Sequence, residues 1–371
     1  MLHPLPPTPH PHVLFAGGGT LGHITPAIAV ARELQKRHPD AVMHFVCSPR
    51  GEAKFLKKES LPYTVIDAPR LSWNFPWRFF LAHRKALQLL RSMKPKVIFS
   101  KGGYVAIPVC FAAKKLGIPI ILHESDALMG RANRIIARMA TRVCLGFPTN
   151  YPSVPARAGQ LPTTNYQLTG NPLRAEITRG SREEGLRITG FSGTRPILLI
   201  VGGSQGAQSI NEWALRNLEG LMKMCDVIHL TGPGKDIHQQ TTQPKNYWVT
   251  DFAHTELPHL YACASVAISR GGAGSIAELL GNVIPTILIP LTGVAHDHQM
   301  HNAVSVQKRG LGLLVTQDDM DRSLLNVVSQ LLSDSAARED IRAKIRVERQ
   351  GDSTGQIAKL ISDILVSGHR S

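Results

Sequence analysis

The chain has 371 residues, of which 43% are hydrophobic and 19% are charged; this length favours two domains, and the composition excludes a disordered protein. Lysine and arginine outnumber aspartate and glutamate by 42 to 27, giving a formal charge of +15, which favours an anionic partner such as a nucleotide, a nucleic acid or an acidic membrane surface. The five cysteines form no CxxC pair, so a disulfide framework or a zinc site is disfavoured and a reducing compartment is indicated.

The first half of the chain alternates short apolar runs with amphipathic stretches. Residues 1–12 are rich in Pro and His and lack the apolar run of a secretory signal, so we expect a short disordered leader there. After it the pattern predicts, in order, strand Val13–Ala16, helix Pro26–Arg37, strand Val42–Cys47, helix Phe79–Met93, strand Val97–Phe99, helix Val105–Leu116 and strand Ile118–Leu122. Such alternation is typical of a parallel sheet covered by helices.

The alternation pauses and then starts again. Phe147–Pro172 is rich in Pro, Thr and Asn and has little periodicity, which is typical of a linker. Four further strands follow, namely Ile197–Val201, Val227–Leu230, Val266–Ile268 and Ile284–Ile289, and Thr354–Val366 has a helical pattern. We therefore predict an N-terminal domain at 13–170, a second domain at 171–350, and a helix within 351–371 that packs back on the first domain.

Each predicted domain begins with a strand that runs into glycines. Gly17, Gly19 and Gly22 form G-x-G-x-x-G between a strand and a helix, an arrangement that brings backbone N–H groups to an anion. A dinucleotide site would also need an acidic residue at the end of the next strand, where this chain has Cys47-Ser48-Pro49. NAD and FAD are therefore disfavoured, and a tight turn without a ligand stays an alternative for this loop.

Two more glycine clusters lie in the second half. Residues 202–206 read GGSQG, in which Ser204 either caps the next helix or donates to a phosphate, and residues 270–275 read RGGAGS. Neither ends in the GK[ST] of a Walker A loop, which disfavours a kinase or an ATPase. Three such turns in one chain favour phosphate binding over turn geometry alone.

Four blocks together resemble the MurG family, the undecaprenyl-diphospho-muramoylpentapeptide N-acetylglucosaminyltransferases. They are GGGTLGHITPAIAVA at 17–31, KGGYVAIP at 101–108 with HESD at 123–126, GGSQGAQSIN at 202–211, and SRGGAGSIAELL at 269–280 with DHQMHNA at 297–303. The resemblance implies a GT-B fold, two Rossmann-like lobes facing across a cleft. It also implies inverting transfer of N-acetylglucosamine from UDP-N-acetylglucosamine to the 4-hydroxyl of a lipid-linked N-acetylmuramoyl-pentapeptide.

Other functions stay open beside this one. A related GT-B transferase with another lipid acceptor, and a UDP-sugar-binding or epimerase-like protein without transfer activity, share the same fold. An NAD-dependent oxidoreductase lacks its acidic residue. No nucleic-acid-binding module is recognisable, so nucleic acid is not expected as a partner.

The resemblance places the donor in the second lobe and the lipid diphosphate in the first. The residues it implies for the donor are Arg174, Ser204, Gln205, Phe252, Ala253, Ala273, Gly274, Ser275, Ile276, Ala277, Glu278, Gln299 and Asn302. Among them Glu278 would accept from the ribose hydroxyls, Phe252 and Ala253 would flank the uracil, and Gln299 and Asn302 would contact the sugar. Thr20, Leu21, Gly22, His23 and Asp126 would lie where acceptor and donor meet.

The sequence departs from the family pattern in three places. The usual GGTGGH reads GGTLGH, so Leu21 replaces a glycine; HEQN reads HESD, which introduces Asp126; and Ala273-Gly274-Ser275 stands where Ala-Leu-Thr is common. These departures leave the class of reaction unchanged and bear on substrate preference.

An inverting transfer needs a general base for the hydroxyl and charge stabilisation for the leaving diphosphate. His23 is the first candidate for the base, with a purely phosphate-binding role as its alternative; Asp126 and Glu124 are rivals, and Glu124 has a structural alternative, orienting His123. No DxD pair ends a strand, so we expect no metal and no cofactor, with helix N-termini and Arg174 stabilising the diphosphate. His296, His298 and His301 are interpreted as a solvated loop in preference to a zinc site.

The most aromatic stretch lies at residues 71–81, with one cation inside it at 78 and others after it at 84, 85, 91, 94 and 96. Its aromatic residues are Trp73, Phe75, Trp77, Phe79 and Phe80. Aromatic groups beside cations suit an anionic bilayer surface, and burial in the core is the alternative. With no apolar run long enough to span a bilayer, we expect a peripheral protein at the cytoplasmic face of the bacterial inner membrane.

Overall fold

The computed structural model describes residues 10–18, 21–49, 51–68, 75–148, 165–203, 205–235, 244–293, 297–348 and 351–367, apart from the side chains of Leu21, His23 and Phe75. Two compact units are present, one comprising Met1–Pro172 with Asp352–Ser371 and the other Leu173–Gly351. Residues 1–9 of the predicted leader, Thr20, Trp73, Ser204 and His296 lie outside the described residues.

Unit 1 is a seven-stranded parallel sheet in the order β3-β2-β1-β4-β5-β6-β7. Its elements are β1 His12–Gly17, α1 Leu21–Arg37, β2 Val42–Cys47, α2 Gly51–Lys58, β3 Tyr63–Val65, α3 Phe75–Met93, β4 Val97–Gly102, α4 Ala106–Lys115, β5 Ile120–Glu124, α5 Arg131–Ala137, β6 Arg142–Leu145 and β7 Tyr166–Leu168. Helices cover both faces of the sheet, which is why its strands read as continuous apolar runs.

Alternate residues of β1 point to two separate cores. Val13 and Phe15 face the core under α1 and α2, where the Phe15 ring stacks on Phe45 at 5.0 Å between centroids. Leu14 and Ala16 face the core under α3, α4 and α5. Period-two alternation in a strand buried on both sides therefore fixes which helices pack on which face.

The last helix, α14 Ser353–Ser367, belongs to unit 1. Ile357 and Ile361 are fully buried in the core beneath α1, and His38 Nε2 lies 2.6 Å from Ser362 Oγ. The chain thus returns to its first unit after completing its second.

Unit 2 is a six-stranded parallel sheet in the order β10-β9-β8-β11-β12-β13. Its elements are a 3₁₀ turn Ala175–Thr178, α6 Arg182–Thr189, β8 Ile197–Val201, α7 Gln208–Arg216, α8 Leu218–Met224, β9 Asp226–Leu230, β10 Tyr247–Thr250, α9 Leu257–Cys263, β11 Val266–Ser269, α10 Ala273–Gly281, β12 Thr286–Leu288, α11 His298–Lys308, β13 Gly312–Leu314, α12 Met320–Ser333 and α13 Ser335–Glu348. Numbered within the unit, the strand order is 3-2-1-4-5-6, that of a nucleotide-binding doubly wound sheet. The predicted fold class, two Rossmann-like α/β domains, is confirmed.

Several predicted bounds differ from the observed ones, and two of the differences have a clear physical cause. The segment interpreted as a linker contains β7, whose three residues pair in parallel with β6 from Val143 to Leu145; a strand this short has too few residues to show periodicity. Helix α1 begins at Leu21, five residues before Pro26. The prediction had used the preference of proline for the first helical position, and here proline lies in the second turn.

Candidate active site

Each sheet reverses its order once, between β1 and β4 in unit 1 and between β8 and β11 in unit 2. Ligands of doubly wound sheets bind at such a switch point, outside the carboxyl ends of the strands. The predicted glycine clusters lie at these two places, and each is described below within its own unit.

In unit 1 the loops after β1 and β4 touch through glycines. A Cβ at Gly17 would lie 3.1 Å from Lys101 Cβ, and a Cβ at Gly103 would collide with the carbonyl oxygen of Gly18. Gly102 and Gly103 both have a φ of 81°, which L side chains rarely adopt. The glycines therefore permit a close backbone approach at the switch point.

Glu124 organises the loop that follows β5. Its side chain accepts hydrogen bonds from Asp126 N at 2.9 Å, from Gly130 N at 3.1 Å and from Asn133 Nδ2 at 2.9 Å. Glu124 is buried, and burial raises its pKa, an effect that the charge of Asp126 reinforces and the three donors oppose. A carboxylate so engaged holds the loop, and none of these three contacts reaches His123. A role of Glu124 as a base stays a prediction.

His123 instead contacts Lys101 and the backbone of Gly170. Lys101 Nζ lies 2.6 Å from His123 Nδ1 and 2.6 Å from Ser125 Oγ, and His123 Nε2 lies 3.0 Å from the Gly170 carbonyl oxygen. Burial and the neighbouring ammonium lower the pKa of His123 well below its usual value. This ring is therefore neutral at pH 7.

The other acceptor-side residues lie close in sequence to these loops. Leu21 is the first residue of α1, so the substitution for glycine falls on helical backbone, and Gly22 is exposed. His23 lies in the first turn of the same helix. Asp126 is half-buried in the loop after β5. Of the candidate bases, Asp126 is thus the one whose described side chain keeps exposed surface.

In unit 2 the loops after β8 and β11 also meet. A Cβ at Gly203, where φ is 88°, would lie 3.6 Å from Ser275 Oγ in the first turn of α10. Gly206 packs against the carbonyl oxygen of Thr231, after β9. Gly272 is the N-cap of α10 and offers no side-chain cap, so the first-turn N–H groups are available to an anion.

Glu278 on α10 is held by a tyrosine. Tyr261 on α9 donates from its hydroxyl to Glu278 Oε2 at 2.9 Å. Burial raises the pKa of Glu278, while the Tyr261 hydrogen bond and the charge of Arg174 lower it. Arg174 Nε is buried and has no hydrogen-bond partner among the described residues. Glu278, Tyr261 and Arg174 therefore form one cluster. Its acceptor is the Glu278 carboxylate, and its donor without a partner among the described residues is Arg174 Nε.

Arg270 lies beneath the third glycine cluster. It is 8% exposed and donates to the Ile289 carbonyl oxygen at 3.1 Å, to Gln317 Oε1 at 2.9 Å and to Ser209 Oγ at 2.7 Å. All three acceptors are neutral, and Arg270 forms no ion pair within the part of the chain that is described. It is a buried cation without a carboxylate at the switch point of unit 2.

The predicted donor residues divide by exposure. Phe252 is 58% exposed, and Gln205 and Gly274 are exposed as well. Five others are half-buried: Arg174, Ser275, Ala277, Glu278 and Gln299. Gln205, Phe252 and Gly274 follow the carboxyl ends of β8, β10 and β11. Their positions are compatible with a ligand that crosses the loops after β8, β10 and β11.

Other predicted donor residues are buried and have a supporting position. Asn302 is fully buried and donates from Nδ2 to the Gly271 carbonyl oxygen at 3.0 Å, so it holds the glycine loop and does not present its amide to a sugar. Ala253 and Ile276 are core residues, at 7% and 2% exposure. Gln299, by contrast, is half-buried, and its Oε1 accepts from Leu291 N at 3.0 Å. The helix after the second cluster begins at Gln208 with Ala207 as its N-cap, so Ser204 is not that cap.

Three polar residues of these sites were not singled out from the sequence: Lys101, Tyr261 and Arg270. Lys101 and Arg270 both occur inside the quoted blocks, directly before a pair of glycines. A charged residue between an apolar strand and Gly-Gly is a usable signal. Tyr261 gave none, because its partner is distant in sequence. No group of three or more His, Cys, Asp or Glu that could hold a metal ion occurs in the described ranges.

A third feature is an exposed apolar surface on α3 of unit 1. Trp77, Phe80 and Leu81 are 66%, 48% and 46% exposed, and the Arg84 guanidinium lies 5.8 Å from the centre of the Phe80 ring. Phe79 is half-buried against Phe111 of α4 in an edge-to-face contact at 5.8 Å. No helix in the described ranges is long and apolar enough to cross a membrane.

The comparisons with known proteins cover both units. Residues 13–145 match the glycosyltransferase family 28 N-terminal domain and residues 197–354 match the family 28 C-terminal domain. Crystal structures give the same fold. That of MurG from Acinetobacter baumannii has a TM-score of 0.75 at 25% identity, covering 95% of this chain and 99% of that one. A UDP-GlcNAc 2-epimerase from Neisseria meningitidis, with a TM-score of 0.61 at 14% identity, covering 96% of this chain and 100% of that one, shares the fold alone.

Two relatives bear the same name, UDP-N-acetylglucosamine–N-acetylmuramyl-(pentapeptide) pyrophosphoryl-undecaprenol N-acetylglucosamine transferase. The one from Lachnoclostridium phytofermentans is 37% identical over 95% of this chain and 98% of its own length. The one from Clostridium kluyveri is 34% identical over 94% of this chain and 98% of its own length. The chain therefore belongs to the MurG family of GT-B glycosyltransferases.

Proposed function

We propose that the chain transfers N-acetylglucosamine from UDP-N-acetylglucosamine to the 4-hydroxyl of an undecaprenyl-diphosphate-linked N-acetylmuramoyl-pentapeptide, with inversion at the anomeric carbon. The observation that carries this proposal is the end-to-end similarity to the two transferases, at 37% and 34% identity over nearly the whole length of each. Both units match, so the donor-binding and the acceptor-binding halves are each represented.

Unit 2 would hold the donor. Glu278, held at Oε2 by Tyr261, would accept from the ribose hydroxyls through Oε1. The uncapped N-terminus of α10 and Ser275 would meet the diphosphate, supported by the positive charges of Arg174 and Arg270. The exposed ring of Phe252 would lie beside the uracil, together with the backbone of Ala253. Gln205 and Gln299 would contact the phosphates and the sugar.

Unit 1 would hold the acceptor. Gly17, Gly18 and Gly22 border the N-terminus of α1, a place suited to the lipid diphosphate. His23 would remove the proton from the attacking hydroxyl, with Asp126 as the alternative base. The bond from the anomeric carbon to the UDP oxygen breaks as the new glycosidic bond forms, and UDP leaves with its negative charge.

The test of function is product formation with both substrates. The purified chain, UDP-N-acetylglucosamine and the lipid acceptor in detergent should give UDP and a disaccharide lipid, resolved by mass spectrometry. Conversion of UDP-N-acetylglucosamine without acceptor into its 2-epimer would support the epimerase-like alternative. Release of UDP with no disaccharide lipid formed, at any acceptor concentration, would contradict the proposal.

The donor assignment has its own test in Glu278→Ala. Removing a charge-assisted hydrogen bond in a half-buried site should weaken UDP binding by about 1.5–3 kcal/mol. Calorimetry with UDP measures this, and Glu212→Ala, an exposed glutamate on α7, is the matched control. Equal UDP affinity for Glu278→Ala and the parent would remove Glu278 from the donor site.

We further propose that α3 contacts the anionic phospholipid of the cytoplasmic leaflet. Three large apolar side chains on one helix, namely Trp77, Phe80 and Leu81, are exposed. Arg84 and Lys85 follow on the same helix and are exposed as well. Apolar groups that insert at the interface, flanked by cations worth about 1 kcal/mol each near an anionic surface, suit a peripheral enzyme with a polyprenyl substrate.

Vesicle sedimentation tests this surface. Trp77→Ser with Phe80→Ser should lose binding to vesicles of phosphatidylglycerol and phosphatidylethanolamine, while Val347→Ser, which removes an 86% exposed side chain from unit 2, should not. The same double variant should keep its activity on a short-chain acceptor in detergent. Undiminished vesicle binding by the double variant would place the membrane contact elsewhere.

A further inference from the structure

A buried lysine at the end of β4 has no part in the roles proposed above. Lys101 is 2% exposed, and its ammonium donates to His123 Nδ1 and Ser125 Oγ, both at 2.6 Å. Lysine is almost never fully buried unless its charge is paired or hydrogen-bonded. The burial of Lys101 is therefore explained by its two hydrogen-bond partners, His123 and Ser125.

The direction of these hydrogen bonds follows from chemistry. The Gly170 carbonyl oxygen, 3.0 Å from His123 Nε2, can only accept, so Nε2 carries the proton. Nδ1 then has a free lone pair and accepts from the Lys101 ammonium. The lysine therefore fixes both the tautomer and the orientation of a neutral imidazole.

Through these partners Lys101 joins three segments of unit 1. Ser125 O accepts from Asn171 Nδ2 at 3.0 Å, so the loop after β5 and the segment after β7 are linked at Ser125 as well as at His123. The residue that follows Ser125 is Asp126, whose N–H is held by Glu124 at 2.9 Å. The loop that carries Asp126 is thus held on one side by Glu124 and on the other by Lys101.

We propose that Lys101 is a positioning residue for the transfer reaction, whose ammonium, through His123 and Ser125, holds the Asp126 loop in the geometry that the acceptor requires. This inference rests on the proposed transferase function. It assigns Lys101 no contact with substrate, and it predicts a defect specific to the acceptor.

The charge of Lys101 is set by its surroundings. The titratable groups that face it are His123 and Glu124 on β5, Asp126 in the following loop, and Cys144 on β6. Burial lowers the pKa of Lys101 to about 8, and the charges of Glu124 and Asp126 oppose that decrease. The ammonium therefore predominates at pH 7 and is lost as the pH rises through 8.

Lys101→Met, which keeps the length and removes the charge, is the main variant. Its kcat/KM for the lipid acceptor should fall roughly ten- to a hundredfold, since small misplacements of reacting groups have effects of this size. The KM for UDP-N-acetylglucosamine should stay at the parent value. Lys57→Met, on exposed α2 of the same unit, is the control and should match the parent.

Two readouts separate positioning from a general loss of structure. In the parent, kcat/KM for the acceptor should decrease above about pH 8, and this decrease should be absent in Lys101→Met. Nitrogen NMR of labelled histidine should show His123 as the neutral Nε2–H tautomer in the parent, with the Nδ1 signal shifted in the variant. If Lys101→Met does not fold, Ser125→Ala, which removes one of the two hydrogen bonds, should show a smaller decrease in the same kinetic parameter.

The outcomes are distinct. Parent and Lys57→Met that form no disaccharide lipid would refute the transferase function itself. If the parent is active and Lys101→Met folds, a variant with the same acceptor kinetics and the same pH profile as the parent would overturn the positioning role. If Lys101→Met does not fold, two results together would overturn the positioning role. Ser125→Ala would have the same acceptor kcat/KM as the parent, and the acceptor kcat/KM of the parent would not decrease above pH 8.

Discussion

The two units carry nearly the same four residues at the same place. Ser100-Lys101-Gly102-Gly103 stands at the end of β4, and Ser269-Arg270-Gly271-Gly272 at the end of β11. In each sheet this strand lies across the switch point from the first strand. Both cations are buried, at 2% and 8% exposure, so each switch point has a positive charge beneath its glycines.

The surroundings of the two cations differ. The charges of Glu124 and Asp126 act on Lys101, whereas Arg270 is hydrogen-bonded to neutral oxygens and forms no ion pair within the described residues. The balanced charge of Lys101 suits a residue that holds a loop, while the unbalanced charge of Arg270 near the uncapped α10 suits the attraction of the donor diphosphate. The same four-residue motif therefore lies in two electrostatic settings, and we expect its cation to hold a loop in unit 1 and to attract the donor in unit 2.

The largest expected effect tests whether the base belongs to unit 1. His23→Ala should lower kcat about 10²–10⁴-fold, the range of general base catalysis, with UDP affinity unchanged because the proposed UDP contacts lie in unit 2. Steady-state kinetics with both substrates varied, and calorimetry with UDP, measure the two parts. Asp126→Asn is the companion variant.

The pattern of loss identifies the role. A His23→Ala enzyme that is fully active at saturating acceptor would show that the imidazole binds phosphate and is not the base. Asp126, the half-buried candidate in the loop after β5, would then take that role, and Asp126→Asn should show the larger loss in kcat.

The next largest effect is expected for Arg270→Met, the counterpart in unit 2 of Lys101→Met. Arg270→Met should weaken UDP binding by about 1–2 kcal/mol, the attraction of a unit charge for an anion about 10 Å away at an effective dielectric constant of about 20, and leave the KM for the acceptor unchanged. This is the reverse of what Lys101→Met should do. Arg342→Met, a partly buried arginine of the same unit that donates to the Ser265 carbonyl oxygen, is the control for stability. Acceptor-specific loss in Arg270→Met would remove the distinction drawn between the two switch points.

A smaller effect concerns the stability of unit 1 in acid. His44 is buried on β2 with Nε2 2.9 Å from Thr64 Oγ1, and burial, with His12 adding to it, lowers its pKa to about 4. In an unfolded chain a histidine has a pKa of about 6.5. The unfolded state therefore binds a proton first, so stability is complete above pH 6.5 and is lost as the pH falls towards 4.

Between pH 7 and pH 5.5 this histidine should remove about 1 kcal/mol of stability from unit 1. Hydrogen exchange of the β1 and β2 amides reports on that unit, and His44→Gln should reduce the difference between the two pH values by about 1 kcal/mol. The contribution of buried His123, whose pKa is also lowered, should remain. Burial also lowers the pKa of His229, on β9 of unit 2, to about 4. Hydrogen exchange of the β8 and β9 amides should therefore change between pH 7 and pH 5.5 by the same amount in the parent and in His44→Gln. An undiminished pH difference in the β1 and β2 amides of His44→Gln would assign the effect to another group.

The sequence predicted what depends on local pattern and missed what depends on tertiary contact. Strands such as Val42–Cys47 and Ile197–Val201 were predicted with the observed bounds because a buried strand is a continuous apolar run. Strand β7 has three residues and exists through pairing with β6. Residue type alone could not tell that Asn302 is buried under Gly271, while Gln299 on the same helix is half-buried.

The same reasoning applies to the candidate site. Family motifs placed Glu278 and Ser275 on one helix beside the glycine loop, since their spacing is local. The partners that set their chemistry come from elsewhere: Tyr261 from α9, and Gln317, the partner of Arg270, from beyond β13. Similarly, His123 and Glu124 are adjacent in sequence but face different partners, because successive residues of a strand point to opposite sides.

The smallest expected effect is that of chelation, and it bears on how unit 2 neutralises a diphosphate. If the N-terminus of α10 and the buried Arg270 provide the positive charge, transfer should continue in EDTA at close to its full rate. Rates with EDTA, and with magnesium or manganese added back, measure this. Complete loss on chelation, restored by one divalent ion, would show that a metal supplies that charge. Arg270→Met sharpens the test, because a variant that has lost its buried cation should gain more from added magnesium than the parent does.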